Sequence, residues 1–196
     1  MYLGRLAARA VIGSLFIGHG TQKLYGWFSG PGLAGTEGMM EALDMRPARR
    51  NAYAAGITET AGGALLVVGL ATPLAAAGLI GTMITAIRKV HLPNGLWAAN
   101  GGWEYNAMLI TALLMLADDG PGDLSLDAVL GLDDSGPAWA LGALVAGAAA
   151  STAAIELGRR TPAAMSAPVT SGNGVSPPLD VAGDPTTKDS TSISSR

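Results

Sequence analysis

Residues 51–87 read NAYAAGITETAGGALLVVGLATPLAAAGLIGTMITAI, a stretch in which Glu59 is the single charge. From Ala61 to Ala71 and from Leu74 to Ile84 every position is apolar or small. A helix on the surface of a soluble domain keeps a polar side opposite its apolar stripe, repeating about every 3.6 residues. No such stripe is present here, which disfavours a soluble, alanine-rich bundle. A bilayer's hydrocarbon core takes roughly 20 mostly apolar residues per spanning helix. Ala71-Thr72-Pro73 breaks the stretch in two. Pro73 suits the first turn of a new helix, where its missing N–H costs nothing.

The same texture recurs on both sides. Val11 to Gln22, Tyr105 to Ala117 and Gly136 to Ile155 carry no charge. The pattern predicts five helices, over residues 4–24, 51–70, 73–90, 104–117 and 137–157. The fold class that follows is all-α: a polytopic membrane helical bundle. The fourth apolar run rises only about 20 Å against a core of ~30 Å, so it must extend or meet a thinned bilayer. Arg5 and Arg9 open the first helix and are expected to snorkel toward headgroups. Residues 10–17 resemble a signal-peptide core, but His19, Gln22 and Lys23 follow without a clear small-x-small site, so the helix is read as retained. Glycine inside the helices permits close packing in lipid. Gly142, Ala146 and Ala150 form a small-residue ridge, read as ordinary bundle packing.

Composition narrows the function. Charged residues make up 14% of the chain, against roughly 25% in soluble domains. The net charge of −3 offers no footprint for nucleic acid. The chain has no cysteine, so disulfides, thiol relays and thiolate-bound clusters are excluded. Lys23, Arg46, Arg49, Arg50, Arg88, Lys89, Arg159 and Arg160 gather on one side of the expected bundle, and only Arg5 and Arg9 on the other. The positive-inside rule then puts the N-terminus outside and the C-terminus in the cytoplasm. Three parts follow: a four-helix core over 1–130, an additional spanning helix over 131–160, and a polar tail over 161–196. The tail lacks the apolar residues to offset its ordering entropy and is expected to be disordered.

The candidate site rests on ionisable groups inside apolar helices, which are costly and therefore point to function. Glu59 lies two turns into the second helix. His19, Gln22 and Lys23 share one face near the end of the first. Arg88 and His91 end the third, and Glu104 and Asn106 begin the fourth. In up-and-down packing these ends share one membrane face and could converge on a polar pocket. A buried ion pair of Glu59 with Lys23 or Arg88 that merely orients helices is an equal reading. Trp27, Trp97 and Trp103 fall on the same side, as an interfacial belt or as a lid of rings over a headgroup or quinone. No Walker motif, G-x-G-x-x-G or H-E-x-x-H is present. No metal set and no catalytic residue is assigned.

These residues resemble the DoxX family. Gly18-His19-Gly20-Thr21-Gln22-Lys23-Leu24 is similar to its first-helix signature, and Glu59 with Gly62-Gly63 and Gly69 to its second-helix pattern. His91-Leu92-Pro93-Asn94-Gly95 with Gly101-Gly102-Trp103-Glu104-Tyr105-Asn106, and Gly120-Pro121-Gly122 before Leu124-Ser125-Leu126-Asp127, resemble its later elements. The resemblance covers about Gly4 to Asp127. It implies a small multi-pass protein of the bacterial plasma (inner) membrane with a four-helix DoxX-like core. It also implies links to a membrane oxidoreductase complex and to quinone, with a non-catalytic or accessory role. The fifth helix departs from that pattern. The alternatives are a small transporter or lipid-binding protein, or a scaffold docking a soluble enzyme through residues 46–50 or 118–134.

Overall fold

The computed structural model describes residues 3–132 and 134–161. Nearly all of the polar tail expected over 161–196 lies outside them. Seven α-helices follow in order: α1 Leu3–Tyr25, α2 Gly32–Ala42, α3 Ala48–Val68, α4 Thr72–Ala86, α5 Glu104–Asp119, α6 Leu126–Leu130 and α7 Pro137–Arg160. No strand occurs among the described residues. The five long helices match the expected ones in place. The third expected helix changes pitch before its end, becoming a π turn over Ile87–His91. The expectation did not include α2 or α6.

Helix ends follow local chemistry. Gly69 closes α3 in the left-handed conformation at φ 66°, which glycine adopts without strain from a Cβ. Pro73 sits in the first turn of α4, as expected. Ser125 caps α6 by accepting a hydrogen bond from the Ala128 amide at 3.1 Å. Ser125→Ala is expected to cost about 1 kcal/mol, read as a lower unfolding midpoint in detergent. An unchanged midpoint would show that α6 is held by its other contacts.

The helices stack in sequence, with α3 between α1 and α4, and α4 also packed on α5 and α7. Phe16, Leu66, Leu79, Ile80, Leu113 and Leu116 form the main core between them. A smaller cluster of Met40, Met45, Ala48, Ala52 and Ile155 joins α2, α3 and α7 at one end. Two seams are set by glycine. A Cβ on Gly13 would lie 2.6 Å from the Gly63 carbonyl oxygen, and one on Gly147 2.8 Å from the Ala77 oxygen. Backbone therefore meets backbone between α1 and α3 and between α4 and α7.

The α7 seam corrects the expected ridge. Ala143, Gly147, Ser151, Ile155 and Gly158 are the buried positions. Gly142, Ala146 and Ala150 are exposed, and nothing lies within 4 Å of a Cβ built on Gly142. The inward face is shifted by one residue, and on it Gly147 meets the α4 backbone while the Ser151 and Thr85 hydroxyls pair at 2.9 Å. Among the described residues two helices, Thr72–Asn94 (α4 with the turns that continue it) and Pro137–Arg160, are long and apolar enough to cross a membrane. α1 and α3 have the length, but Arg5, Arg9 and Lys23 on one and Arg49, Arg50 and Glu59 on the other dilute their apolarity. α5 gains three residues over the expected apolar run, and still rises only about 24 Å.

Candidate functional site

Close approach at the glycine seam delivers the central contact. α1 and α3 run antiparallel, and Gly20 and Gly56 let them meet near the end of α1. A Cβ on Gly56 would strike the Leu24 side chain at 2.6 Å. Side chains on a helix lean toward its N-terminus, so Lys23 reaches back along α1 toward α3. Its Nζ donates to Glu59 Oε2 at 2.6 Å. The Glu59 side chain is 6% exposed and that of Lys23 21%. The carboxylate is thus sealed, while the ammonium keeps a flank open and has further N–H donors to offer.

Neighbouring polar groups hold this end of the bundle in shape. Thr36 on α2 is fully buried, and its hydroxyl donates to the Lys23 carbonyl oxygen at 3.1 Å. That bond ties α2 across the end of α1. Gln22 Nε2 donates to the Phe28 carbonyl oxygen at 3.4 Å, folding the turn back on α1. In that turn Phe28 and Ser29 both have positive φ, 53° and 60°. Tyr25, Trp27 and Phe28 are exposed beside one another, with ring centroids 5.6 and 6.5 Å apart.

The other expected site residues are placed separately. His19 is exposed on α1. Arg88 does not reach Glu59; its guanidinium donates to the Thr152 hydroxyl of α7 at 3.0 Å. Asn106 is buried against the Met83 sulfur at 3.4 Å. His91 and Glu104 both serve the connection between α4 and α5. The His91 ring Nδ1 is 2.7 Å from the Gly101 carbonyl oxygen, and Glu104 Oε2 accepts from the Ala98 amide at 2.9 Å. Asn94 also donates to the Gly101 oxygen, at 3.2 Å. The structure therefore joins Lys23 with Glu59 and fastens His91 and Glu104 into a neighbouring loop.

A second polar cluster lies at the opposite end of α1, and the sequence reading passed over it. Arg9 does not snorkel. It is 1% exposed, and its Nη2 donates to the Leu124 carbonyl oxygen at 2.7 Å. Arg5, one turn earlier and half-buried, donates to the Asp119 carbonyl oxygen. Asp127 is 1% exposed and accepts from the Ala71 amide at 2.9 Å and the Thr72 amide at 3.4 Å. The acidic segment thus folds inward onto two arginines of α1. Bringing 5, 9 and 127 together requires the tertiary fold. The only local signal was the pairing of Arg5 and Arg9 one turn apart.

The DoxX family model matches residues 4–92, from the first turn of α1 to the beginning of the α4–α5 connection. That is the stretch holding Lys23, Glu59 and the glycine seam. The motifs over 101–127 lie beyond it. No curated protein and no solved structure is matched by this chain.

Proposed function

We propose, with residues 4–92 a DoxX domain, that this chain is a multi-pass protein of the bacterial plasma membrane. In this reading it serves a membrane oxidoreductase complex as a non-catalytic subunit that engages quinone beside Lys23 and Glu59. Membrane residence is supported by the family and by two helices of spanning length. It is also supported by exposed apolar side chains such as Leu74, Met108, Met115, Leu141 and Val145. Contiguous exposed apolar surface marks an interaction with a partner or with lipid.

The observation that carries the site is the ion pair itself. A bundle gains little from a buried salt bridge that apolar packing would not supply. An intramembrane pair open on one side is suited to meeting a polar headgroup. The residues fit a quinone in chemical terms: Lys23 has donors to spare for a carbonyl oxygen, and exposed rings of Tyr25 and Trp27 follow it. Quinone, when bound, would supply two-electron interconversion of carbonyl and hydroxyl, with electrons passing to or from a partner oxidoreductase. Lys23 would hold the ligand oxygen by a charge-assisted hydrogen bond. Glu59 would balance that ammonium in the empty site.

The tight α1–α3 seam favours this reading over a transporter whose path runs between those two helices. Backbone contact at Gly13 and Gly63 leaves no room there for a solute. The test is Glu59→Gln, assayed for bound quinone after purification in mild detergent and for quinone-dependent activity of the co-purified complex. The variant is expected to stay folded in the membrane and to lose binding at least about tenfold, roughly 1.4 kcal/mol. Unchanged quinone content and activity in a folded variant would reject the assignment.

A further inference from the structure

The buried guanidinium of Arg9 lacks an ion-pair partner of opposite charge. Its Nε and Nη1 are buried without a hydrogen bond, and only Nη2 is bonded, to a neutral carbonyl. Among the described residues no carboxylate lies within ion-pair distance of it. Asp127, the acidic group on the same cluster, spends both oxygens on the amides of Ala71 and Thr72. The Thr72 hydroxyl is also buried and unbonded, in a residue of 0% exposure. Gly69 makes the space: a Cβ there would collide with Arg9 Nη1 and lie 2.6 Å from the Ser125 side chain.

A desolvated cation is tolerated when it is paired and fully hydrogen-bonded. The first amides of a helix are donors aimed at an anion, and the dipole of α4 reinforces them. Here those amides already hold an anionic oxygen, that of Asp127, beside a cation and a hydroxyl with unused capacity. Asp127 therefore occupies the place a ligand oxyanion would take.

We propose that Arg9, Thr72 and the leading amides of α4 form a phosphate-class anion site that Asp127 fills from within, α6 acting as its internal plug. An incoming phosphate would displace the carboxylate, lift the 119–127 segment, and accept from Arg9, Thr72 and the Ala71 amide. Arg5 stands at the approach, its guanidinium over Gly122, where a Cβ would lie 3.0 Å from Nε. The phosphate belongs either to an anionic lipid headgroup or to a free anion. The site is independent of the quinone reading: Arg9 and Lys23 are about 21 Å apart along α1.

The full chain in detergent is titrated with inorganic phosphate at constant ionic strength by calorimetry. It is also placed in nanodiscs of phosphatidylglycerol or phosphatidylcholine, and retained lipid is read by native mass spectrometry. Asp127→Asn removes the competing charge and is expected to bind phosphate, or to retain phosphatidylglycerol over phosphatidylcholine, about tenfold better than wild type. Adding Arg9→Gln should cancel the gain. Phosphate binding in detergent identifies a free anion, and selectivity in the nanodisc alone identifies the headgroup. No gain in either assay, or a gain that survives Arg9→Gln, overturns the proposal. If Asp127→Asn does not fold, Thr72→Val on the wild-type background decides. A ligand donor predicts a severalfold loss of anion or lipid retention, whereas an idle hydroxyl predicts no change.

Discussion

Gly63→Leu is expected to abolish the folded, monodisperse protein or to lower its stability by about 3 kcal/mol or more. Overpacking ordinarily costs about 1–3 kcal/mol because side chains shift to make room. No such relief exists here. A Cβ at position 63 would lie 2.5 Å from the Gly13 carbonyl oxygen and 2.9 Å from the Ile17 amide nitrogen. Both are backbone atoms of α1, so the two helices must part along their length. Parting them strips Phe16 from Leu66, both almost fully buried, and withdraws Lys23 from Glu59. The comparison is Gly18→Ala on α1, the facing helix, where nothing lies within 4 Å of the added carbon. That change should be neutral or stabilising, since alanine favours a helix over glycine by roughly 0.5–1 kcal/mol. Thermal unfolding in detergent with size-exclusion profiles reads both. A Gly63→Leu protein that melts with wild type would show that the seam does not govern the fold.

The glycine seam also marks how far the sequence could be read. Long uncharged runs exposed the five principal helices, because burial in lipid or core leaves an unbroken record in composition. α2 left none: glycine at 32, 35 and 38 and the acids Glu37 and Glu41 made it look like a connection. Its helix is held in place by tertiary contacts, the Thr36 bond to α1 and the packing of Met40 under α3. α6 is five residues long, too short for any period to show. A cation beside Glu59 is legible because Glu59 is the single charge over residues 51–87. The choice between Lys23 and Arg88 was open, since it depends on which helix lies beside α3 at that depth. Arg9 misled for a related reason. An arginine near a helix start reads as a group reaching for water, and only the return of residues 119–127 over that end turns it inward.

Lys23→Met is expected to destabilise the protein by about 3–5 kcal/mol, and Glu59→Gln by much less. Removing one member of a buried ion pair leaves the other charged and desolvated, and that penalty dominates the measured loss. The two members are unequally placed. Glu59 has 6% of its side chain exposed, Lys23 21%. With methionine at 23, the carboxylate stays sealed between α1 and α3 without a cation, and its desolvation pushes the helices apart. With glutamine at 59, the lysine stem can swing its ammonium through the open flank toward water or headgroups, and the amide still accepts a hydrogen bond. The double variant Lys23→Met/Glu59→Gln removes both charges and should recover most of the loss from Lys23→Met alone. The cycle built from these proteins then isolates the coupling. Equal small losses with coupling below about 0.5 kcal/mol would place the pair effectively in water, depriving the proposed quinone site of its desolvated charge. A large coupling with near-wild-type stability in the double variant would show that apolar packing holds the helices as well as the ion pair does. The charges would then be expendable for folding, and their presence would have to be explained by what Lys23 meets on its exposed side.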